Sequence, residues 1–226
     1  MRPHTVHAVM AVKHIDRAKS RLADVLTPEQ RGQLVLAMFA DTVVAATAVP
    51  EVLSLTVVTP DPVVAARARE LGAHVLGEPA GAPDPLNAAL SAGAADVRDR
   101  HGPAHLLALQ ADLPALRPAE LADLLTVAPD GVRSVVIDHT GTGTAALLVR
   151  DTTAALAPRF GADSANAHRA DGARALAGHW PGLRCDVDTP ADLATVHGLG
   201  VGPHTTRTLR EFALSGHFGD PVRTVC

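Results

Sequence analysis

Val6-His7-Ala8-Val9-Met10-Ala11-Val12, then Thr27-Pro28-Glu29-Gln30 leading into Leu34, Val35, Met38, Phe39 and Val43, then Leu53-Ser54-Leu55-Thr56-Val57-Val58: this opening stretch decides the fold. The two outer segments are short and apolar, as strands buried on both faces are. Between them, Thr27 stands three residues before Gln30 in the spacing of a capping box. Pro28 suits the first helical position, and the apolar residues that follow recur at helical spacing. Strand, helix and strand in that order predict the crossover unit of a parallel sheet.

Working outward, the same rhythm persists to about residue 130. His74 to Leu76 and Leu106 to Leu109 predict strands, while Pro62 to Leu71, Leu86 to Arg100 and Pro118 to Val127 predict helices. The pattern then changes. Val135 to Ile137 and Ala145 to Val149 are joined only by Asp138 to Thr144, too short for a crossover, so a hairpin is expected. A helix over Ser164 to Ala177, a last strand over Leu183 to Val187 and a final helix opened by Thr189-Pro190-Ala191-Asp192 complete the series. Beyond Pro203 the hydrophobic pattern thins, and Pro203 to Cys226 reads as a loosely attached tail with a short helix around Leu209 to Leu214. The expectation is an α/β fold: one domain over residues 1–203, with a mostly parallel central sheet flanked by helices and a small hairpin, followed by a tail over 204–226.

Composition agrees and excludes several function classes. Of 226 residues, 47% are hydrophobic and 19% charged, so the chain can fill a core and disorder is excluded for most of it. Twenty Lys and Arg against 24 Asp and Glu give a formal charge of -4, and aromatics are 2% with no Tyr. Neither an attracting field nor stacking platforms are provided, so no nucleic-acid partner is expected. Cys185 and Cys226 cannot make a disulfide framework. Met-Arg-Pro-His lacks the apolar stretch of a secretion signal, and no run approaches the roughly 20 apolar residues of a membrane span. The expectation is a cytoplasmic protein with reduced thiols and no membrane partner.

In open α/β sheets, ligands bind beyond the carboxyl ends of the strands, and three such places here are polar. The first strand leads into Lys13, Arg17, Lys19 and Arg21; the fourth into Gln110-Ala111-Asp112-Leu113-Pro114; the last into Cys185-Asp186-Val187-Asp188-Thr189-Pro190. Asp186 and Asp188 are two apart, so on an extended chain both face one side. Like charges so placed repel unless a cation lies between them. With Asp112 they would form an all-oxygen cluster suited to Mg²⁺ or Mn²⁺. The alternative is that Asp186 or Asp188 caps the final helix and Asp112 caps a turn.

The basic segment has no glycine, so it is neither a Walker loop nor a dinucleotide fingerprint. It reads either as a solvated loop or as the charge that anionic phosphates require. Gly141-Thr142-Gly143-Thr144 is compatible with an anion nest or with simple hairpin chemistry. Phe160-Gly161-Ala162-Asp163-Ser164 precedes a predicted helix whose first amides could bind an anion. The 12 histidines form neither an HExxH nor a Ser-His-Asp constellation, and His168 reads as a surface or core residue rather than a base.

These motifs occur in a joint order that resembles a known family. Ala11-Val12-Lys13 with Ala18-Lys19-Ser20-Arg21-Leu22, Asp84-Pro85-Leu86-Asn87, Ala111-Asp112-Leu113-Pro114, Gly141-Thr142-Gly143-Thr144, Phe160-Gly161 with Ser164 and His168, and Cys185-Asp186-Val187-Asp188-Thr189-Pro190 are similar to the 2-phospholactate/phosphoenolpyruvate guanylyltransferases of deazaflavin coenzyme F420 biosynthesis. The resemblance covers residues 5–203. It implies a GT-A-like nucleotidyltransferase fold with a nucleotide half and an acceptor half.

It also implies transfer of GMP from GTP to phosphoenolpyruvate, giving enolpyruvyl-diphospho-guanosine and pyrophosphate. The same chemistry on 2-phospho-L-lactate or 3-phosphoglycerate is the alternative. The implied metal ligands are Asp112, Asp186 and Asp188, holding Mg²⁺ (two ions expected, Mn²⁺ as a substitute). The implied acid contacts are Lys13, Thr144, Gly161 and Ser164. Beyond that carry-over, Lys19 and Arg21 are expected on the GTP phosphates and Asn87 near the ribose or base, with the product handed over to the next enzyme of the pathway. A molybdenum-cofactor or sugar-phosphate nucleotidyltransferase would call for a glycine-rich first loop, absent here; a non-catalytic GTP-binding module is the rival of another class.

Overall fold

The structure is a computed structural model and describes residues 5–15 and 18–214. Arg17 and residues 215–226 of the expected tail lie outside the described residues. The opening unit forms as its residues dictate: β1 (Val6–Ala11), α1 (Pro28–Thr47) and β2 (Val52–Val58). At the start of α1 the Thr27 hydroxyl accepts from the Gln30 amide at 3.3 Å, and the Gln30 side chain accepts from the Thr27 amide at 3.0 Å. Both satisfy donors that a bare helix end leaves unpaired.

Next come α2 (Pro62–Glu70), β3 (His74–Leu76), α3 (Pro85–His101), β4 (Leu106–Leu109) and α4 (Pro118–Val127), with Asp61 and Asp84 capping α2 and α3. Pro28, Pro62, Pro85 and Pro118 each stand at the first helical position, where a missing N–H costs nothing. Then follow β5 (Arg133–Ile137), β6 (Thr144–Val149), α5 (Ser164–Ala170), β7 (Arg174–Ala175), α6 (Pro181–Arg184), α7 (Pro190–Leu199) and α8 (Pro203–Leu214).

The seven strands form one sheet in the order β3-β2-β1-β4-β6-β5-β7. Every pairing is parallel except the two made by β6, which runs against both β4 and β5. The expected hairpin is therefore β5–β6, inserted so that β6 closes onto the end of the parallel half. The sheet is buried on both faces. Val6, Ala8 and Met10 of β1 meet Phe39 and Val43 of α1 and Leu121, Leu124 and Leu125 of α4. Val9 points the other way, to Leu90, Ala94 and Val97 of α3. A Cβ on Gly93 would sit 2.5 Å from Val9 Cγ1 and 2.9 Å from Val58 Cγ2, so the missing side chain lets α3 lie flat on the sheet.

Three expectations are corrected. Leu183 to Val187 is not a strand: Pro181 opens the short α6, and the following residues carry the alternation of a strand without a ladder. Leu183, Cys185 and Val187 are buried, but the only backbone bond from this stretch to the β5–β6 connection is His139 N–H to Arg184 O at 2.8 Å. The helix expected over Ser164 to Ala177 ends at Ala170, because the chain turns at Gly172 (φ +82°) and lays Arg174–Ala175 beside β5 as β7.

Third, residues 204–214 of the expected loose tail form most of α8, which docks on α1. Asp41 of α1, itself buried, accepts from His204 N–H at 3.0 Å and Thr205 N–H at 2.8 Å, and Phe212 is buried with Met38, Leu34 and Val35. A thin hydrophobic pattern suffices there because one buried carboxylate supplies the helix cap. No described helix is long and apolar enough to cross a membrane.

Candidate functional site

Beyond the carboxyl end of β4, the Leu113 amide donates to the Thr42 hydroxyl of α1 at 3.0 Å and the Leu113 side chain is buried, which fixes Asp112 at the sheet rim. Across from it, Cys185 and Val187 point into a cluster with Leu22, Leu34 and Leu193, so Asp186 and Asp188 turn out of it. The reasoning from alternation thus holds for the facing of the side chains although the strand does not form. One carboxylate oxygen from each of Asp112, Asp186 and Asp188 lies within 4.8 Å of the others.

Lys19 completes the cluster. Its ammonium bonds Asp112 and lies 2.8 Å from Asp188 Oδ1, while the more exposed Arg21 approaches Asp188 Oδ2 at 4.0 Å. Burial works against the charge on Lys19, but Asp112 and Asp188 outweigh it and raise the ammonium above its ordinary value. Asp186 is the opposite case. Burial, and then the neighbouring Asp112 charge, push its carboxyl up to about 6. Its buried Oδ1 has no hydrogen-bond partner among the described residues.

A buried carboxylate oxygen without a hydrogen bond, with only His139 Nδ1 at 3.8 Å and two further carboxylates beside it, is what a hard cation would satisfy, so the three side chains fit a divalent metal with oxygen ligands. The triad could hold such an ion.

The second group of expected residues gathers around the β5–β6 connection and the loop before α5. Thr144, at the start of β6, lies next to the β4 end: Gln110 N–H donates to Ala145 O at 3.0 Å. Thr144 and Ser164 are both buried and both meet His168 of α5. Nδ1 of His168 is 3.1 Å from Thr144 Oγ1 and 2.9 Å from Ser164 O, and Nε2 accepts the Arg159 N–H at 2.9 Å. Gly161 is exposed with φ +128°, a conformation that L side chains rarely adopt, and nothing stands within 4 Å of where a Cβ would be. Lys13 is exposed and close enough to Asp84 to help hold that carboxyl below its usual range, behind the larger effect of its bond to Asn87.

Asn87 is tied to the loop before Gly161. Its side-chain N–H donates to Phe160 O at 2.9 Å and its Oδ1 accepts from Phe160 N–H at 2.8 Å. The amide is thus engaged with the backbone before Gly161, and its N–H group also donates to Asp84 Oδ2 at 2.6 Å. Two further residues escaped the sequence reading. His139 Nε2 lies 3.1 Å from Asp192 Oδ1, and Asp192 Oδ2 accepts from the amides of Asp188 at 3.0 Å and Thr189 at 2.7 Å. Thr189-Pro190-Ala191-Asp192 signalled the cap of α7; the pinning of Asp188 and the reach of His139 had no signal in the chain.

A mostly parallel sheet, an acidic triad at its rim and an apposed lysine define an enzyme of the nucleotidyltransferase class. The chain shares this fold with a nucleotidyl transferase from Methanothermobacter, at a TM-score of 0.62 and 19% identity, over 90% of this chain and 99% of that one. Residues 6–224 match the family model described as guanylyl transferase CofC like, and the chain belongs to that family. It is 61% identical to a phosphoenolpyruvate guanylyltransferase of Nocardia farcinica over 100% of both chains. It is 51% identical to one of Rhodococcus erythropolis, over 90% of this chain and 95% of the relative.

Proposed function

We propose that the protein transfers GMP from GTP to phosphoenolpyruvate, giving enolpyruvyl-diphospho-guanosine and pyrophosphate, a step of coenzyme F420 biosynthesis in the cytoplasm whose product passes to the next enzyme. The observation that carries this reading is the meeting of Asp112, Asp186 and Asp188 with Lys19 at the rim. The names of the relatives support the acid.

The attacking group is a phosphate oxygen of the acid, already anionic near neutral pH, so no general base is needed. It forms the new bond to the α-phosphorus while the bond to the β-phosphate oxygen breaks and pyrophosphate leaves. What opposes reaction is charge repulsion, so catalysis rests on neutralisation and alignment. Asp112, Asp186 and Asp188 would hold Mg²⁺, with Mn²⁺ as a substitute and a second ion on the triphosphate; bound metal supplies positive charge to the phosphates.

Lys19 and Arg21 stand beside those carboxylates and serve the triphosphate. Lys13 serves the acid's phosphate, and Thr144, Ser164 and the Gly161 amide orient its anionic groups. A displacement of the acid by ~1 Å would cost about a hundredfold in rate, which gives the positioning residues their weight.

The test is a panel of phosphoenolpyruvate, 2-phospho-L-lactate and 3-phosphoglycerate with GTP or ATP and Mg²⁺, read by pyrophosphate release and product mass. Turnover is expected with GTP and phosphoenolpyruvate. Release with a sugar phosphate but with no three-carbon acid would overturn the proposal.

A further inference from the structure

The loop that carries Gly161 is tied down on consecutive residues from two sides: Phe160 by Asn87 and Arg159 by His168. The second tie has a chemical consequence for Thr144. A neutral imidazole has one N–H, and Nε2 of His168 receives the Arg159 N–H, so Nε2 carries no proton. The single ring proton is therefore on Nδ1, where it faces Ser164 O at 2.9 Å and Thr144 Oγ1 at 3.1 Å. Thr144 Oγ1 therefore cannot donate to the ring; it can only share the Nδ1 proton with Ser164 O. Its own hydroxyl proton has no other acceptor among the described residues.

The ring is 1% exposed and is flanked by Phe160 edge-on at 5.3 Å. Burial lowers its basicity, which keeps it in the neutral form near pH 7.

We propose that His168 is a positioning residue for Thr144: its protonated Nδ1 faces the threonine oxygen, which turns the hydroxyl proton away from the ring and leaves it for the anionic acid. This rests on the guanylyl-transfer reading for the identity of that acid, but the ring tautomer can be tested without it. A hydroxyl free to rotate would be as ready to present lone pairs as a proton. Turning its proton away from the ring leaves that proton for an oxygen of the acid, and a charged carboxylate or phosphate oxygen takes it more strongly than a neutral one does. The ring thereby contributes to acid recognition without touching the acid.

Two substitutions separate the two ring nitrogens. In His168→Asn the side-chain amide nitrogen falls where Nδ1 was and can still donate to Thr144; in His168→Gln the side-chain oxygen can still accept from Arg159, but the donor to Thr144 is lost. The expected result for His168→Gln is a rise of about tenfold in KM for phosphoenolpyruvate, the worth of one hydrogen bond, with KM for GTP unchanged. His168→Asn should recover most of that rise. Thr144→Val should raise the same KM and add nothing in the His168→Gln background, since both remove one interaction.

Nitrogen NMR of the wild-type imidazole should show Nδ1 protonated and Nε2 bare at neutral pH. Protonation at Nε2 overturns the assignment whatever reaction the enzyme runs and even if a variant fails to fold. An acid KM unmoved by His168→Gln, equal damage from Asn and Gln, or additive losses with Thr144→Val overturn it as well. Absence of pyrophosphate release by the wild type with every acid of the panel would instead refute the guanylyl-transfer reading.

Discussion

The two halves of the molecule hold their functional side chains by different means. In the half built from β1 to β4, Lys19 follows the first strand and Asp112 the fourth, and hydrophobic packing of Leu22 and Leu113 places both. In the half beyond residue 130, regular structure is short: β7 has two residues and α6 four. There the site depends on side chains that bond backbone, as Asn87 does to Phe160, His168 to Arg159 and Asp192 to Asp188. A scaffold of strands fixes its rim residues as a by-product of folding, whereas the half beyond residue 130 fixes its loops one hydrogen bond at a time.

The strongest way to break that contrast is to alter the rim itself. Asp112→Asn should lower kcat/KM on the order of 10³-fold, the upper range for one preorganised electrostatic contact, with Tm nearly unchanged. Thermal melts beside pyrophosphate-release kinetics check it; a large fall in Tm would mean that Asp112 is a structural cap instead. Asp192→Asn acts through Asp188 and should cost about 10–100-fold in metal affinity, measured by titration of the divalent ion. In the strand-built half the sensitive quantity is stability. Gly93→Ala forces a methyl against Val9 and Val58 and should destabilise by about 1–3 kcal/mol in denaturant melts, while the KM values of the folded enzyme stay put.

The smallest expected effect is a pH dependence at the far end of the strands. His7 of β1 stacks on His101 at 4.4 Å and bonds Ser54 at 2.8 Å; burial, His101 and then Arg100 hold its basicity below the ordinary 6.5. Below that value the unfolded chain takes up a proton that the folded chain refuses, so the stability present above about pH 6.5 is lost as the pH falls. The slope contributed by one such group cannot exceed about 1.4 kcal/mol per pH unit. His7→Gln should flatten the fall in Tm between neutral and mildly acid pH, and an unchanged slope would remove His7 from the account.

Legibility in the sequence followed the same division. Every strand and α-helix up to Val127 could be read, the helices because period and proline coincide, as at Thr27-Pro28-Glu29-Gln30, whereas the short 3₁₀ turn Ser20–Leu22 inside the basic segment could not. The hairpin was legible from the shortness of its connection. The acidic residues were legible because strand ends and the alternation of Cys185, Asp186, Val187 and Asp188 point side chains without needing the whole fold. What could not be read were bonds between residues distant in the chain, such as that of Asn87 to Phe160. Nor could β7 be foreseen, since two residues carry no period. The helix expected around Leu209 to Leu214 is there, but the attachment of 204–214 was misjudged because its anchor, Asp41, lies some 160 positions away in a helix that looked complete on its own.

That anchor makes residues 203–214 part of the body. Any shortened version ending near Pro203 would strand a carboxylate inside α1, strip the cover from Met38 and Leu34, and open a greasy seam just behind Leu22 and the turn that carries Lys19. Fragments trimmed for crystallisation or fusion should therefore keep everything through Leu214.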